Sequence, residues 1–227
     1  MKIFKLKLAP VALVLFVLAG IEPAHANLLD FTGNVCSAST NGSGALTPCS
    51  NGSLINQSYG DVANANVTFT DLIDTGKSLK WWDNNYNNLS GVVAGGFGDS
   101  VGQSWDRIEI EPIGNFSVTL NSFDMGAYFE TQMDTNLRIL DSVTNTVLLD
   151  YGVETIGIGN VATAFLPNIT SANGIAIEWK DSGYNVGIDN IDFSVTASTN
   201  PVPAPATIWL LGLGLFGLLG FAKKKAH

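Results

Sequence analysis

Glu109 and Glu111 stand two residues apart in Arg107-Ile108-Glu109-Ile110-Glu111. On a strand, both side chains leave the same face about 7 Å apart, a spacing that suits a carboxylate pair protonating a glycosidic oxygen and activating water. Glu130, Glu154 and Glu178 are further carboxylates of this kind. The same alternation also describes the solvated face of an antiparallel sheet. A non-catalytic protein is therefore the first reading and a glycan hydrolase the second. Other chemistry is excluded more firmly. The two histidines, His25 and His227, lie at the extremes of the sequence, so the stretch between them can build neither a Ser-His-Asp or Cys-His hydrolase nor a usual zinc site.

Trp81-Trp82-Asp83-Asn84-Asn85-Tyr86 is the clearest ligand-binding pattern. Adjacent strand residues point to opposite faces, so Trp81 and Trp82 cannot share one core, and one indole belongs to an outer face or rim. An indole beside Asn and Asp can stack on the CH face of a pyranose while the amides and carboxylates meet its hydroxyls. Tyr86 could extend that surface, as could Tyr184, whereas Trp179 in Ala176-Ile177-Glu178-Trp179 reads as a packing residue. Cys36 and Cys49 are the two thiols, with twelve residues of Gly/Ser/Asn-rich loop between them. In an exported chain that arrangement predicts a disulfide staple.

Both ends read as targeting segments. Lys2, Lys5 and Lys7 precede an apolar run from Leu8 to Ile21, and Ala24-His25-Ala26 has the small-x-small form of a signal-peptidase site. Residues 1–26 are thus expected to be removed, with Asn27 as the new N-terminus. At the other end Asn200-Pro201-Val202-Pro203-Ala204-Pro205 cannot continue a helix. It is followed by an apolar run and then by Lys223, Lys224 and Lys225. Residues 206–222 are long enough for one short transmembrane helix, with the lysines held on the cytoplasmic side. Gly212-Leu213-Gly214-Leu215-Phe216-Gly217 has the letters of a dinucleotide fingerprint, but it lies within this apolar run without a preceding strand, so no nucleotide cofactor is expected.

Between these ends the charge is lopsided. Six of the 11 basic residues lie in the end segments, against Glu22 alone of the 20 acidic ones, which leaves 19 acidic and 5 basic residues in 27–199. A surface of that sign repels nucleic acid and favours divalent cations, basic partners or neutral sugars.

The residues singled out above must be positioned by strands. Short alternating or β-branched segments recur at Leu28–Val35, Asn66–Leu72, Leu79–Trp82, Gly91–Ala94, Asp106–Glu111 and Phe116–Phe123. Further ones are Ala127–Glu130, Leu137–Leu140, Val147–Tyr151, Ala162–Leu166, Gly174–Trp179 and Gly187–Val195. Gly, Asn, Asp, Ser and Pro fill the gaps, and no long 3.6-residue period is present. This predicts an all-β, two-sheet antiparallel β-sandwich over 27–199, of the jelly-roll type.

Val202-Pro203-Ala204-Pro205, the Gly/Leu-rich run and the terminal lysines together resemble the PEP-CTERM sorting signal of exopolysaccharide-producing Gram-negative bacteria. Ala204 stands where that motif usually has Glu. The resemblance implies recognition and cleavage by an exosortase, a membrane-anchored precursor, and a product at the cell surface or outside the cell. Tyr59-Gly60-Asp61, Phe116–Asp124 and Gly187-Ile188-Asp189-Asn190-Ile191-Asp192-Phe193 resemble segments of carbohydrate-binding and galactose-binding-like jelly rolls. That likeness implies extracellular polysaccharide as a partner. It also implies a structural Ca²⁺ where the first and last strands meet, with Asp30, Asp189 and Asp192 as candidate ligands.

Overall fold

A computed structural model of the protein describes residues 25–72, 77–83, 85–95, 105–129, 131–180 and 185–198. The signal segment up to residue 24, the apolar run 206–222, Val202 to Pro205, Lys223 to Lys225, Glu130 and Tyr184 lie outside the described residues. Among the described residues no helix is long and apolar enough to cross a membrane.

The strands are β1 (His25–Leu29), β2 (Cys36–Ser37), β3 (Leu46–Thr47), β4 (Ala65–Asp71), β5 (Lys80–Trp82), β6 (Val92–Ala94) and β7 (Trp105–Pro112). They continue as β8 (Phe116–Ala127), β9 (Met133–Asp141), β10 (Val147–Ile156), β11 (Thr163–Phe165), β12 (Ile169–Ser171), β13 (Ile175–Lys180) and β14 (Val186–Ala197). A five-stranded sheet runs β10-β9-β13-β7-β4, and a seven-stranded sheet runs β11-β8-β14-β6-β5, with β1 on β14 and β12 on β8. All pairings between these strands are antiparallel.

Alternation builds the core. In β7, Ile108 and Ile110 are buried while Arg107, Glu109 and Glu111 face outward, and β4 buries Val67 and Phe69 on the same side. These residues meet Val118, Leu120, Phe123, Ile191 and Phe193 of the other sheet in one continuous apolar cluster, which makes the fold a sandwich.

Three expectations about strands are corrected. Leu28–Val35 is not one strand: the chain leaves the sheet after Leu29, where Phe31 takes φ 47° and Gly33 φ 78°, and Asp30 Oδ1 accepts the Thr32 N–H at 3.2 Å. Phe116–Phe123 and Ala127–Glu130 are not two strands, because β8 runs unbroken to Ala127. Gly126, between the two predicted segments, serves close approach: a Cβ there would stand 2.5 Å from the Tyr86 carbonyl oxygen. The β2–β3 hairpin and β12 are too short to show as patterns.

β1 begins two residues before the expected new N-terminus. A cut after Ala26 leaves Asn27, Leu28 and Leu29 paired with Phe193, Asp192 and Ile191.

Cys36 and Cys49 form a disulfide with their Cα atoms 5.2 Å apart. The bridge closes the loop around β2 and β3, and Thr47 adds a hydroxyl bond to the Cys36 carbonyl. Replacing both cysteines by Ala is expected to cost about 3 kcal/mol, the loop-closure entropy of a ring of this size. Denaturant unfolding of oxidised and reduced chains measures it, and an unchanged midpoint would mean that the loop is already held by its hydrogen bonds.

Candidate functional site

The seven-stranded sheet has a gap along one side of β14. Residues 191–195 of β14 pair with β1, whereas Ile188 pairs with Val93 of β6. The change of partner falls at a bulge between Asp189 and Asp192, where Asn190 takes φ 51°. A bulge bends its strand and re-aims side chains. Here it places Asp189 directly across the ladder from Asp124 of β8, on the face of the sheet away from the main core.

The chain between β5 and β6 covers that face. Gly126 and Gly187 pair across β8 and β14, and their missing side chains admit Tyr86 and Val92. Tyr86, Leu89 and Val92 form a second, smaller apolar cluster, against which Trp82 and Tyr128 pack. Asn87 fastens it, donating from Nδ2 to Asn160 Oδ1 at 3.2 Å and accepting the Ala127 N–H at Oδ1 over 2.7 Å.

Between this cover and the end of β1 lies a cleft of about 350 Å³. Asp30, Asp124 and Asp189 line it together with Asn88, Ser90 and Asn190. Asp189 is buried at 4 % exposure. Its Oδ1 accepts the Asn190 N–H at 2.7 Å, and Asn190 Nδ2 donates to Asp124 Oδ2 at 3.0 Å. Asp30 Oδ1 accepts the Thr32 N–H and, at 3.4 Å, the Tyr59 hydroxyl. Burial pushes the Asp189 carboxyl up to about 7; the Asn190 N–H works against that, while Asp30 and Asp124 reinforce it. Burial first, with Asp30 adding, raises the Tyr59 phenol to about 12.

The three residues predicted as calcium ligands are brought together only in part. Asp30 and Asp189 do meet, but Asp192 lies beyond the bulge, accepts from Asn121 Nδ2 at 3.1 Å and does not line the cleft. The third carboxylate is Asp124, which sequence reasoning did not choose although it ends a stretch already singled out. Among the described residues no group of three acidic side chains is placed to hold a metal ion.

The aromatic candidates divide as alternation requires. Trp81 packs against the main core, and its indole N–H donates to the Phe31 carbonyl at 2.9 Å. Trp82 is half-buried on the opposite face. Tyr86 is 1 % exposed, which moves it from a ligand-facing position into the small cluster. The three rings do not form one stacking platform; of them, Trp82 lies on the cleft's side of the sheet.

Glu109 and Glu111 share the outer face of β7 as predicted, on an open sheet surface. Glu109 Oε1 is 2.6 Å from Arg107 Nη2, and Glu109 Oε2 accepts the Thr68 hydroxyl at 3.4 Å. The register sets Glu178 of β13 opposite both Arg107 and Arg138. Its two oxygens take Arg107 Nη1 at 2.8 Å and Arg138 Nη2 at 2.7 Å. Arg138 also lies over the Trp105 ring, 3.9 Å from its centre, with Lys180 at 4.7 Å. Trp179, taken as a packing residue, is buried and bonds the Val186 carbonyl at 3.0 Å.

No curated protein matches this chain. Residues 201–225 match the PEP-CTERM protein-sorting motif, with Ala204 in the position noted above. The protein is thus an exported one, sorted to the cell envelope or surface through a C-terminal motif that an exosortase-type protease processes.

Proposed function

We propose that the protein is a non-catalytic component of the cell surface or extracellular matrix. Its sandwich, a carbohydrate-binding jelly roll in this reading, associates with exopolysaccharide, and its tail is cut from an inner-membrane precursor. The sorting motif at 201–225 carries the proposal, since it belongs to a system for delivering domains outside the cell. The domain's character supports it: residues 27–199 are strongly acidic and lack histidine. The non-catalytic reading is supported by the engagement of both Glu109 oxygens, one by Arg107 and one by the Thr68 hydroxyl.

Intact mass of the protein from the native envelope and medium tests the sorting. A chain that starts at Asn27 and ends between Pro201 and Thr207 is expected. A chain that retains Lys225 and His227 would sink the processing step and leave a tethered domain. Incubation with the native exopolysaccharide tests the rest: binding without product is expected, whereas product that disappears in Glu109→Gln or Glu111→Gln would make the protein a hydrolase.

A further inference from the structure

Charge is unevenly distributed along the strands of the sandwich. One end is built from the β7–β8 turn (113–115), the start of β4, the β9–β10 turn (142–146), the loop between β12 and β13, and the end of β14. The registers Ala65↔Pro112, Ile175↔Ile110, Ile175↔Asp141, Ser171↔Val118 and Ala197↔Phe116 bring these together. Residues 62–66, 112–119, 142–149, 171–177 and 193–198, which form this end, contain no acidic or basic side chain, although 27–199 holds 19 acidic and 5 basic residues. The charges that come near it are satisfied or set back. The Asp141 carboxylate accepts from Thr144, Ser171 and Asn173, and Arg107, which reaches the Ser142 carbonyl, is paired with Glu109 and Glu178. Glu111 lies one residue behind Pro112 on the outer face, and Asp61 is drawn back to the Val67 N–H. The other end is charged: Asp71 closes β4, Asp106 and Asp134 stand at the starts of β7 and β9, Lys180 ends β13, and Asp124 faces Asp189.

What projects from the uncharged end is apolar. Ile113 and Val143 are exposed on the two turns, and Val147 and Leu148 are exposed beside them. Such residues are ordinary singly; their place relative to the tail is what gives these a partner. The chain leaves the sandwich here. The Ser198 N–H donates to the Asn115 carbonyl at 2.9 Å, and the Ser198 carbonyl accepts from Asn115 Nδ2 at 3.3 Å, so the exit is fixed beside the turn that carries Ile113. Seven residues, 199–205, separate Ser198 from the apolar run 206–222. Fully extended, a segment of that length spans at most about 25 Å. β14 alone, twelve residues long, runs about 40 Å. With the apolar run in a bilayer, the charged end therefore cannot be turned to the membrane, and the uncharged end stays within one short tether of it. Anionic headgroups repel an acidic surface over about 8 Å at physiological salt, so the uncharged end is also the one that can touch them.

We propose that in the uncut precursor this end of the sandwich docks on the phospholipid surface, with Ile113 and Val143 at the boundary between headgroups and acyl chains. The inference rests on the membrane-anchored precursor proposed above and adds which face meets the membrane. Two side chains bury too little area to hold a free domain there; the tether supplies the effective concentration that makes the contact persist. The end that carries Asp124 and Asp189 is thereby held away from the bilayer.

The full chain reconstituted in vesicles of phosphatidylethanolamine and phosphatidylglycerol, with a nitroxide on part of the headgroups, tests it. A fluorophore is attached at Ala63→Cys, an exposed position of the uncharged end, or at Gln132→Cys, an exposed position of the charged end. Flotation with the vesicles checks the anchor. Emission is expected to be largely lost at position 63 and retained at 132, and Ile113→Asp with Val143→Asp is expected to restore it at 63. The milder pair Ile113→Ser with Val143→Ser should act in the same direction, and circular dichroism checks that each sandwich is intact. Equal quenching at the two positions, or none at 63 in vesicles that carry the chain, would overturn the docking and leave the anchored precursor standing. Quenching at 63 that survives both pairs of substitutions would mean that the tether alone holds this end near the bilayer, which also overturns it. A chain that does not float with the vesicles would remove both proposals.

Discussion

An Asp189→Asn variant is expected to be more stable than the parent near neutral pH and above, by on the order of 3–4 kcal/mol. In the folded chain burial, joined by Asp30 and Asp124, raises the carboxyl from 3.8 to about 7. The folded state therefore holds this proton more tightly than the unfolded chain does. Below the unfolded pKa both states are protonated and no penalty exists. As pH rises through the folded pKa the penalty becomes complete, so this group makes stability fall between about pH 4 and pH 7. Asn keeps an oxygen for the Asn190 N–H and turns an amide toward the two remaining carboxylates. Urea unfolding across pH is the measurement. A gain that is present above pH 7 and fades toward pH 4 is expected; a gain that does not vary with pH, or a loss, would show that the three carboxylates do not couple.

Glu178→Ala is expected to be the opposite case, with a loss of about 3–5 kcal/mol. Glu178 is 2 % exposed, and its oxygens balance two guanidinium groups. Removing it leaves Arg107 with Glu109 but leaves Arg138 stacked on Trp105 without its anion. Glu178→Gln should lose less, since an amide oxygen still accepts one of the bonds. Equilibrium denaturation of both variants ranks them, and an Ala variant no worse than the Gln variant would mean that the charge of Glu178 contributes little.

Asp141 shows that burial alone does not make a carboxylate costly. Burial pushes its pKa up as well, yet donation from the Thr144 N–H and hydroxyl, the Ser171 hydroxyl and Asn173 Nδ2 outweighs that and holds it at about 2. It closes the turn between β9 and β10. Asp189 has one donor and two acidic neighbours instead, so its burial is left uncompensated and its pKa rises.

Much of this was legible in the sequence because it depends on local pattern. Alternation in Arg107 to Glu111 assigns faces without any knowledge of neighbours, and the tail is recognisable from the order of its parts. Glu178 was not legible as the centre of an ion-pair network, because Arg107 and Arg138 reach it only through the register of three strands. Asp124 was missed for the same reason. Gly126 fell in a gap between predicted segments for a different reason: glycine marks a turn and a close approach with the same letter, and only the cover that holds Tyr86 tells them apart.

The pairing of β1 with β14 also determines how the domain bears load. His25 lies opposite Val195, so the chain enters and leaves the sandwich at one pole, and the cleft sits beyond the far end of β1, about 16 Å along the strand. A pull between the two chain ends would peel these strands apart one hydrogen bond at a time. Were the predicted leader removed, tension on the tail would act along β14 against β8, which are paired from Val186↔Ala127 to Ala197↔Phe116, and the Asn115–Ser198 bonds lock the exit. That loads the ladder in shear, with its bonds strained together. Removal of the N-terminal segment would thus convert a zipper into a lap joint, the stronger geometry for a domain loaded through its C-terminal end.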